Sequence, residues 1–357
     1  MEEIVTLTQD LIRFKTMHSE PEEIDKCTAF IEAYLDRHQI AYKRVEHGGY
    51  PTLLVMPDGN DVNVLLMAHI DVVDATEDLF DPVIRDGKLF GRGAIDDKYA
   101  VALSLVLAKE HVERLRQQGQ TQKDLPFGVL ITSDEEVGGH NGVGAVVDTV
   151  KPRFCIALDG GNPGRIVVKE KGLLTVKMIA RGKAAHGSRP WLGDNAVDRL
   201  ITDYARLKTL FETPAAGTWL KTMNLSIINA GKSFNQVPDR AEAVFDIRYT
   251  ENEDTDRLFE QMQATVDSKL QVMQKEPMFM GGTSPYLDRI HQLADNAEIG
   301  FEHGASDARF FSEKGVSGMI WGAEGEHSAH AVDEHVNIDS IAGVYGVLDR
   351  FITEITE

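Results

Sequence analysis

Val64-Leu65-Leu66-Met67-Ala68-His69-Ile70-Asp71 is an apolar run that ends in His-x-Asp. A continuous apolar stretch of this length reads as a buried strand. Its end hands a histidine and an acid to whatever lies beyond. The pattern recurs twice. The run 127–132 is followed by Ser133-Asp134-Glu135-Glu136-Val137-Gly138-Gly139, and the run 154–158 by Asp159-Gly160-Gly161. The end of an apolar run is where a strand would deliver a side chain into a shared cleft, so these acids and His69 are candidates for one site.

Histidine offers zinc a neutral imidazole nitrogen, and an acid two residues on can fix the ring's other nitrogen. Alone, His69-x-Asp71 reads more readily as a surface pair. Gly91-Arg92-Gly93-Ala94-Ile95-Asp96-Asp97-Lys98 is more specific. Its glycines allow a tight backbone path to a carboxylate at the mouth of a helix. The competing reading makes Asp96 or Asp97 an N-cap. Three acids in a row, Asp134 to Glu136, repel one another unless cations or protons offset them. Two adjacent glutamates allow one to hold a metal while the other moves protons. A solvated turn is the alternative. Late in the chain, His327-Ser328-Ala329-His330 offers one further ligand, or two surface histidines.

The chain has 357 residues, so two domains are expected. Apolar residues make up 42% of it, enough for a sizeable core. The net charge of −20 argues against nucleic acid and against an anionic membrane surface. Cys27 and Cys155 form no C-x-x-C pair or disulfide framework, and Cys155 reads as a buried strand thiol. The first residues, Met1-Glu2-Glu3-Ile4-Val5, lack the basic and apolar pattern of a leader, so a cytoplasmic setting is expected.

Helical spacing marks 3–14, 22–38 and 98–116, and apolar runs mark strands at 52–56, 62–68, 127–132 and 154–158. From 171 the order changes: strand 173–180, helix 195–211, strands 223–228 and 241–249, helix 255–270, strand 271–275. This βαββαβ order is that of a ferredoxin-like unit. Gly281-Gly282-Thr283-Ser284-Pro285 reads as a hinge back. Helices follow at 286–297, 307–314 and 337–355, with a strand at 316–321.

These motifs, in order and over nearly the whole chain, resemble those of the co-catalytic di-zinc metallopeptidases and deacylases. That family includes acetylornithine deacetylase, succinyl-diaminopimelate desuccinylase, aminoacylase, glutamate carboxypeptidase and tripeptidase. The resemblance implies two divalent metal ions, zinc first, with cobalt or manganese as alternatives. His69 and Asp159 would hold one, Glu136 and His330 the other. Asp96 would bridge them, often with a cis peptide bond after it, Asp71 would orient His69, and Glu135 would be general base and acid. Gly182-Lys183-Ala184-Ala185-His186-Gly187-Ser188-Arg189-Pro190 is similar to the family's lid motif. It implies that His186 stabilises the oxyanion, reaching across a homodimer formed through the lid. Asn235, Arg248 and Arg309 resemble substrate-binding positions, with ordinary lid structure as the alternative for Asn235 and Arg248.

The expected fold is therefore a catalytic α/β domain with a mixed central sheet, phosphorylase/hydrolase-like, over 1–170 and 284–357. A ferredoxin-like lid and dimerisation domain, 171–283, interrupts it. The expected activity is hydrolysis of an amide bond in a short peptide or N-acyl amino acid through a metal-bridged hydroxide. A non-catalytic relic of the scaffold and a di-metal phosphoesterase are the rivals. Two positions depart from the pattern. Tyr99-Ala100 replaces glycines that often follow the bridging segment, and Asp159 stands where many deacylases carry Glu; an Asp there resembles the peptidase branch more.

Overall fold

The computed structural model describes residues 1–215 and 217–355. In chain order the first part runs α1 (Glu2–Ile12), α2 (Pro21–Arg37), β1 (Lys43–His47), β2 (Tyr50–Val55), β3 (Asp61–His69), β4 (Val83–Arg85), β5 (Lys88–Phe90), α3 (Tyr99–Gln117), β6 (Phe127–Thr132), α4 (Val143–Val146), β7 (Lys151–Ala157) and β8 (Arg165–Glu170). Then come β9 (Gly172–Arg181), β10 (Ala185–His186), α5 (Ala196–Lys208), β11 (Thr222–Ala230), β12 (Gln236–Val237), β13 (Arg240–Tyr249), α6 (Thr255–Thr265) and β14 (Lys269–Glu276). The last part holds β15 (Phe279–Met280), α7 (Pro285–Leu293), β16 (Glu298–Glu302), α8 (Ala308–Glu313), β17 (Ser317–Ile320), β18 (His335–Asn337) and α9 (Ile338–Glu354).

The chain divides into two compact units. One holds Met1–Glu170, Phe279–Glu302 and the chain from Ser306 on; the other holds Lys171–Met278 with His303–Ala305. In the first unit a mixed sheet runs β1-β2-β6-β3-β7-β17-β8-β15, with β16 also on β8. Its centre, β6-β3-β7-β17, is parallel. Along β3, Val64 and Leu66 join one core while Leu65 and Met67 join another on the opposite face. That two-sided burial is what a continuous apolar strand requires. Helix α3 fills one face so completely that Leu103, Leu105 and Leu107 have no exposed surface. Each such leucine contributes about 1.5–3 kcal/mol relative to exposure.

The second unit is an antiparallel sheet, β11-β13-β9-β14, carrying α5 and α6 on one face. Residues alternate along β9, with Leu174, Val176, Met178 and Ala180 buried and the residues between them less so. Asn195 and Asp254 cap the two helices, their side chains accepting the backbone N–H of Val197 and Asp256.

The structure corrects several sequence-based boundaries. Helix α6 ends at Thr265, short of the expected 270, because the Asp203 carboxylate takes the N–H groups of Asp267 (3.3 Å) and Ser268 (2.9 Å). Helix α7 ends at Leu293, and the chain then makes β16, which the sequence reading missed. Phe279 and Met280 pair with β8 of the central sheet, so the chain is back in it before Gly281.

Candidate metal centre

Parallel pairing aligns the strand ends. His69 at the end of β3 pairs with Thr132 at the end of β6, and Met67 pairs with Ala157 at the end of β7. The loops that carry His69-x-Asp71, Glu135-Glu136 and Asp159 therefore leave one edge of the sheet together. His330 comes from the segment between β17 and β18, in the left-handed region at φ +65. A histidine held there is strained backbone, which accumulates at functional sites. Asp96 does not cap α3, whose N-cap position is Lys98. The Asp96–Asp97 peptide bond is cis.

Two groups of side chains gather. His69, Asp96 and Asp159 form one, and Asp96, Glu136 and His330 the other; in each, one ligand atom per residue lies within 4.8 Å of the rest. Asp96 belongs to both. Its Oδ1 lies 2.9 Å from His69 Nε2 and its Oδ2 3.0 Å from His330 Nε2. His69 Nε2 is also 3.6 Å from Asp159 Oδ2, and His330 Nε2 is 3.2 Å from Glu136 Oε1.

These residues fit a pair of divalent cations. His69 Nδ1 lies 3.0 Å from the Asp71 carbonyl oxygen, which can only accept, so Nδ1 carries the proton. That leaves a lone pair on Nε2 in the neutral ring. Nε2 is buried, sits beside two carboxylates and yet makes no hydrogen bond among the described residues. Lone pairs converging in a buried space call for a cation between them. Nitrogen and oxygen donors of this kind suit divalent metal ions.

The titration of the cluster tells the same story. Burial, and next the charge of Asp159, lift Glu135 well above the usual carboxylate range. Burial lifts Glu136 and Asp159 too, with Asp96 adding to both. Burial favours the neutral imidazole of His69, but Asp159, Asp71 and Asp96 outweigh it and raise the ring well above its ordinary value. Asp96 and then Glu136 push His330 up to about 10. The chain has gathered more carboxylate than it can hold charged without cations or protons.

Asp71 is fully buried and serves both groups. Its Oδ1 lies 3.4 Å from His69 Nδ1, and its Oδ2 accepts the Glu136 N–H at 2.9 Å. A cleft against this centre is lined by His69, Thr132, Glu135, Asp159, Ser306 and Asp307.

Four participants escaped the sequence reading. Arg92, quoted only as part of Gly-Arg-Gly, pairs with buried Glu334 and donates to the His330 carbonyl at 3.2 Å. Glu334 accepts the N–H of Ile95 and of Asp96, both at 3.4 Å. The pair thus ties the backbone of His330 to that of Asp96. Asp307 is buried, and burial pushes it up to about 7. A Cβ at Gly139 would lie 1.9 Å from Asp307 Oδ1, and Gly139 has φ +67, so only glycine fits there. His18 reaches Asp71 Oδ2 at 3.0 Å. Acids and an arginine in mixed loop sequence gave a signal for the first three; nothing in the sequence marked His18.

Arg309, whose segment resembles one near the substrate's carboxylate, lies in the first unit. It is 3% exposed, and its guanidinium donates to the carbonyls of Ser306 (2.8 Å) and Gly138 (2.7 Å). It binds the turn after Glu135-Glu136 to the start of α8.

The remaining candidates lie in the second unit. β10 and β12 pair His186 with Gln236, and the Gly187 N–H donates to the Asn235 carbonyl at 2.6 Å. His186 and Asn235 are thus neighbours, both exposed. The Ser188 N–H donates to His186 Nδ1 at 3.1 Å, and Ser188 Oγ lies 2.8 Å from it. A nitrogen that accepts is unprotonated, so His186 presents Nε2–H as a donor. Arg248, half-buried, holds Asp246 through two contacts of 2.8 and 3.1 Å.

Residues 65–354 match the model of Peptidase family M20/M25/M40. A succinyl-diaminopimelate desuccinylase of Wolbachia pipientis subsp. Culex pipiens (strain wPip) is 29% identical over 98% of this chain and 92% of its own. Two solved structures share the fold at 18% identity and a TM-score of 0.80. A tripeptidase of Staphylococcus aureus subsp. aureus Mu50 covers 99% of this chain and 98% of its own; an M20 family metallo-carboxypeptidase of Sulfolobus solfataricus covers 100% of both.

Proposed function

The chain belongs to Peptidase family M20/M25/M40 and is a metal-dependent hydrolase of amide bonds; we propose that it acts on a short peptide or an N-acyl amino acid. The observation that carries this reading is Asp96 shared between two ligand groups, with Glu135 in the adjoining cleft. We assign His69 and Asp159 to one ion, Glu136 and His330 to the other, and Asp96 to both. Zinc is the metal we favour. When bound, the ions supply Lewis acidity and bring the pKa of a water towards neutrality.

The chain's own residues do the rest. Glu135 takes the proton of the attacking water and delivers it to the leaving amine. Asp71 holds the His69 ring and the Glu136 backbone in place. His186 gives its Nε2–H to the developing oxyanion. We assign the second unit the role of lid, which excludes water from the reacting groups on closure. Asn235 and Arg248 are assigned to substrate.

A homodimer through the second unit completes the reading. β11 is an edge strand with Ile227 and Ile228 more than half exposed, a surface suited to a second copy. A cytoplasmic setting is supported by two buried, free cysteines. Among the described residues no helix is long and apolar enough to cross a membrane. Family membership disfavours the relic and phosphoesterase readings.

The test is a screen of dipeptides, tripeptides and N-acyl amino acids after chelation, with and without added zinc or cobalt. Metal-dependent cleavage of at least one class is expected. No turnover on any member of either class would overturn the proposal.

A further inference from the structure

Asp71 has a partner that no motif accounts for. The segment leaving α1 runs beside the end of β3 and is stitched to it residue by residue. Thr16 Oγ1 donates to the Ile70 carbonyl, the Val72 N–H donates to the Thr16 carbonyl at 3.1 Å, and His18 Nε2 meets Asp71 Oδ2 at 3.0 Å. Thr16 is wholly buried. The His18 ring also leans on Tyr50, with centroids 5.6 Å apart, so its orientation is held from two sides. A buried carboxylate accepts, so His18 Nε2 is the donor.

Asp71 Oδ2 therefore takes two donors at once, the His18 ring and the Glu136 N–H at 2.9 Å. Its other oxygen faces His69. Removing the His18 donor leaves a fully buried carboxylate short of one hydrogen bond, and Asp71 is the joint between a ligand of each group. We propose that His18 is a positioning residue of the metal centre: by fixing the Asp71 carboxylate it sets the His69 ring and the Glu136 turn, and so the affinity for both ions. This rests on the metal centre proposed above.

Three chains decide it: the unaltered protein, His18→Ala and His18→Gln. Glutamine can place an amide N–H where His18 Nε2 stands. Cobalt(II) is titrated into each after chelation, followed by calorimetry and by visible absorption, and kcat, KM and Tm are measured alongside. The unaltered chain should take two cobalt ions. His18→Ala should bind them about 10–100-fold more weakly, the cost typical of losing a partner of a ligand's orienting group. Its absorption band should shift, and kcat at saturating substrate should fall while KM stays constant. His18→Gln should recover most of the loss.

Equal cobalt affinity in His18→Ala, or a lowered Tm with affinity unchanged, overturns the inference and leaves the centre standing. His18→Gln as weak as His18→Ala also overturns it, since the hydrogen bond to Asp71 would not be the agent. Should His18→Ala fail to fold, His18→Gln decides: near-normal affinity supports the role, and a large loss overturns it. No cobalt binding by the unaltered chain overturns the centre itself.

Discussion

At the end of the central sheet, His69 and Asp71 are almost wholly buried, and Asp71 alone has contacts with His18, His69 and Glu136. In the second unit, His186 is exposed and its ring is held by its own neighbour Ser188. One region holds its candidate side chains from several distant segments, through long-range bonds; in the other, the side chains of His186, Asn235 and Arg248 meet Ser188, Ser233 and Asp246, each two residues away. Buried and cross-linked groups have already lost their rotamer freedom. Exposed ones keep it until something docks. The first region is pre-organised chemistry, and the second awaits closure, substrate or a second copy.

The sharpest way to break that contrast is Glu135→Gln. It should cut kcat by about 10²–10⁴ while both metals remain bound, as checked by metal analysis of the purified variant. Full activity would remove Glu135 from its role. His186→Ala should come next, costing about 10²–10³ in kcat, as the loss of one oxyanion donor does, with Tm unchanged because the side chain is exposed. Mixing it with Glu135→Gln chains tests sharing between subunits: recovered activity supports a donor supplied across the dimer, and none counts against it.

Arg309→Ala sharpens the buried side. Two carbonyls lose a charged donor, so unfolding in urea should register a loss of about 2–4 kcal/mol, with KM little changed. A raised KM at unchanged stability would restore Arg309 to substrate binding.

The smallest effect concerns Glu170. Burial pushes its carboxyl up to about 7; Asp159 adds to the rise, while the Ser306 donors and Arg309 oppose it. The folded chain then keeps a proton that the unfolded chain releases near its ordinary value of 4.5. This group's contribution is therefore fully present below that ordinary value and is lost as pH rises through about 7. Glu170→Gln has no such proton to lose. Its stability relative to the unaltered chain should rise between acid and alkaline pH by on the order of 2 kcal/mol. Parallel urea midpoints for the two chains across that range would contradict it.

The buried core strands were legible because burial on both faces writes itself as unbroken apolar runs, as in Val64–Ala68 and Phe127–Thr132. The βαββαβ order was legible because alternation and helical spacing change at Lys171. β16 was not: Glu298-Ile299-Gly300-Phe301-Glu302 is short, half-exposed and holds a glycine, and only its pairing with β8 makes it a strand. Candidate ligands stood out as acids placed after apolar runs, and the full set, with Asp96 and His330, was implied by the family resemblance. The ties that hold it could not. His18, Arg92 and Glu334 act through contacts with residues far along the chain, and a lone His18 after a helix has no pattern of its own. Arg309 shows the converse, since its motif was visible and its partners, two backbone carbonyls, were not.

The central claim is that Asp96 joins two cation sites. Anomalous diffraction from a zinc-loaded crystal tests it most directly. The account predicts two peaks per chain, one against His69 and Asp159, one against Glu136 and His330, with Asp96 touching both. A single peak, or zinc held by other residues, would contradict it.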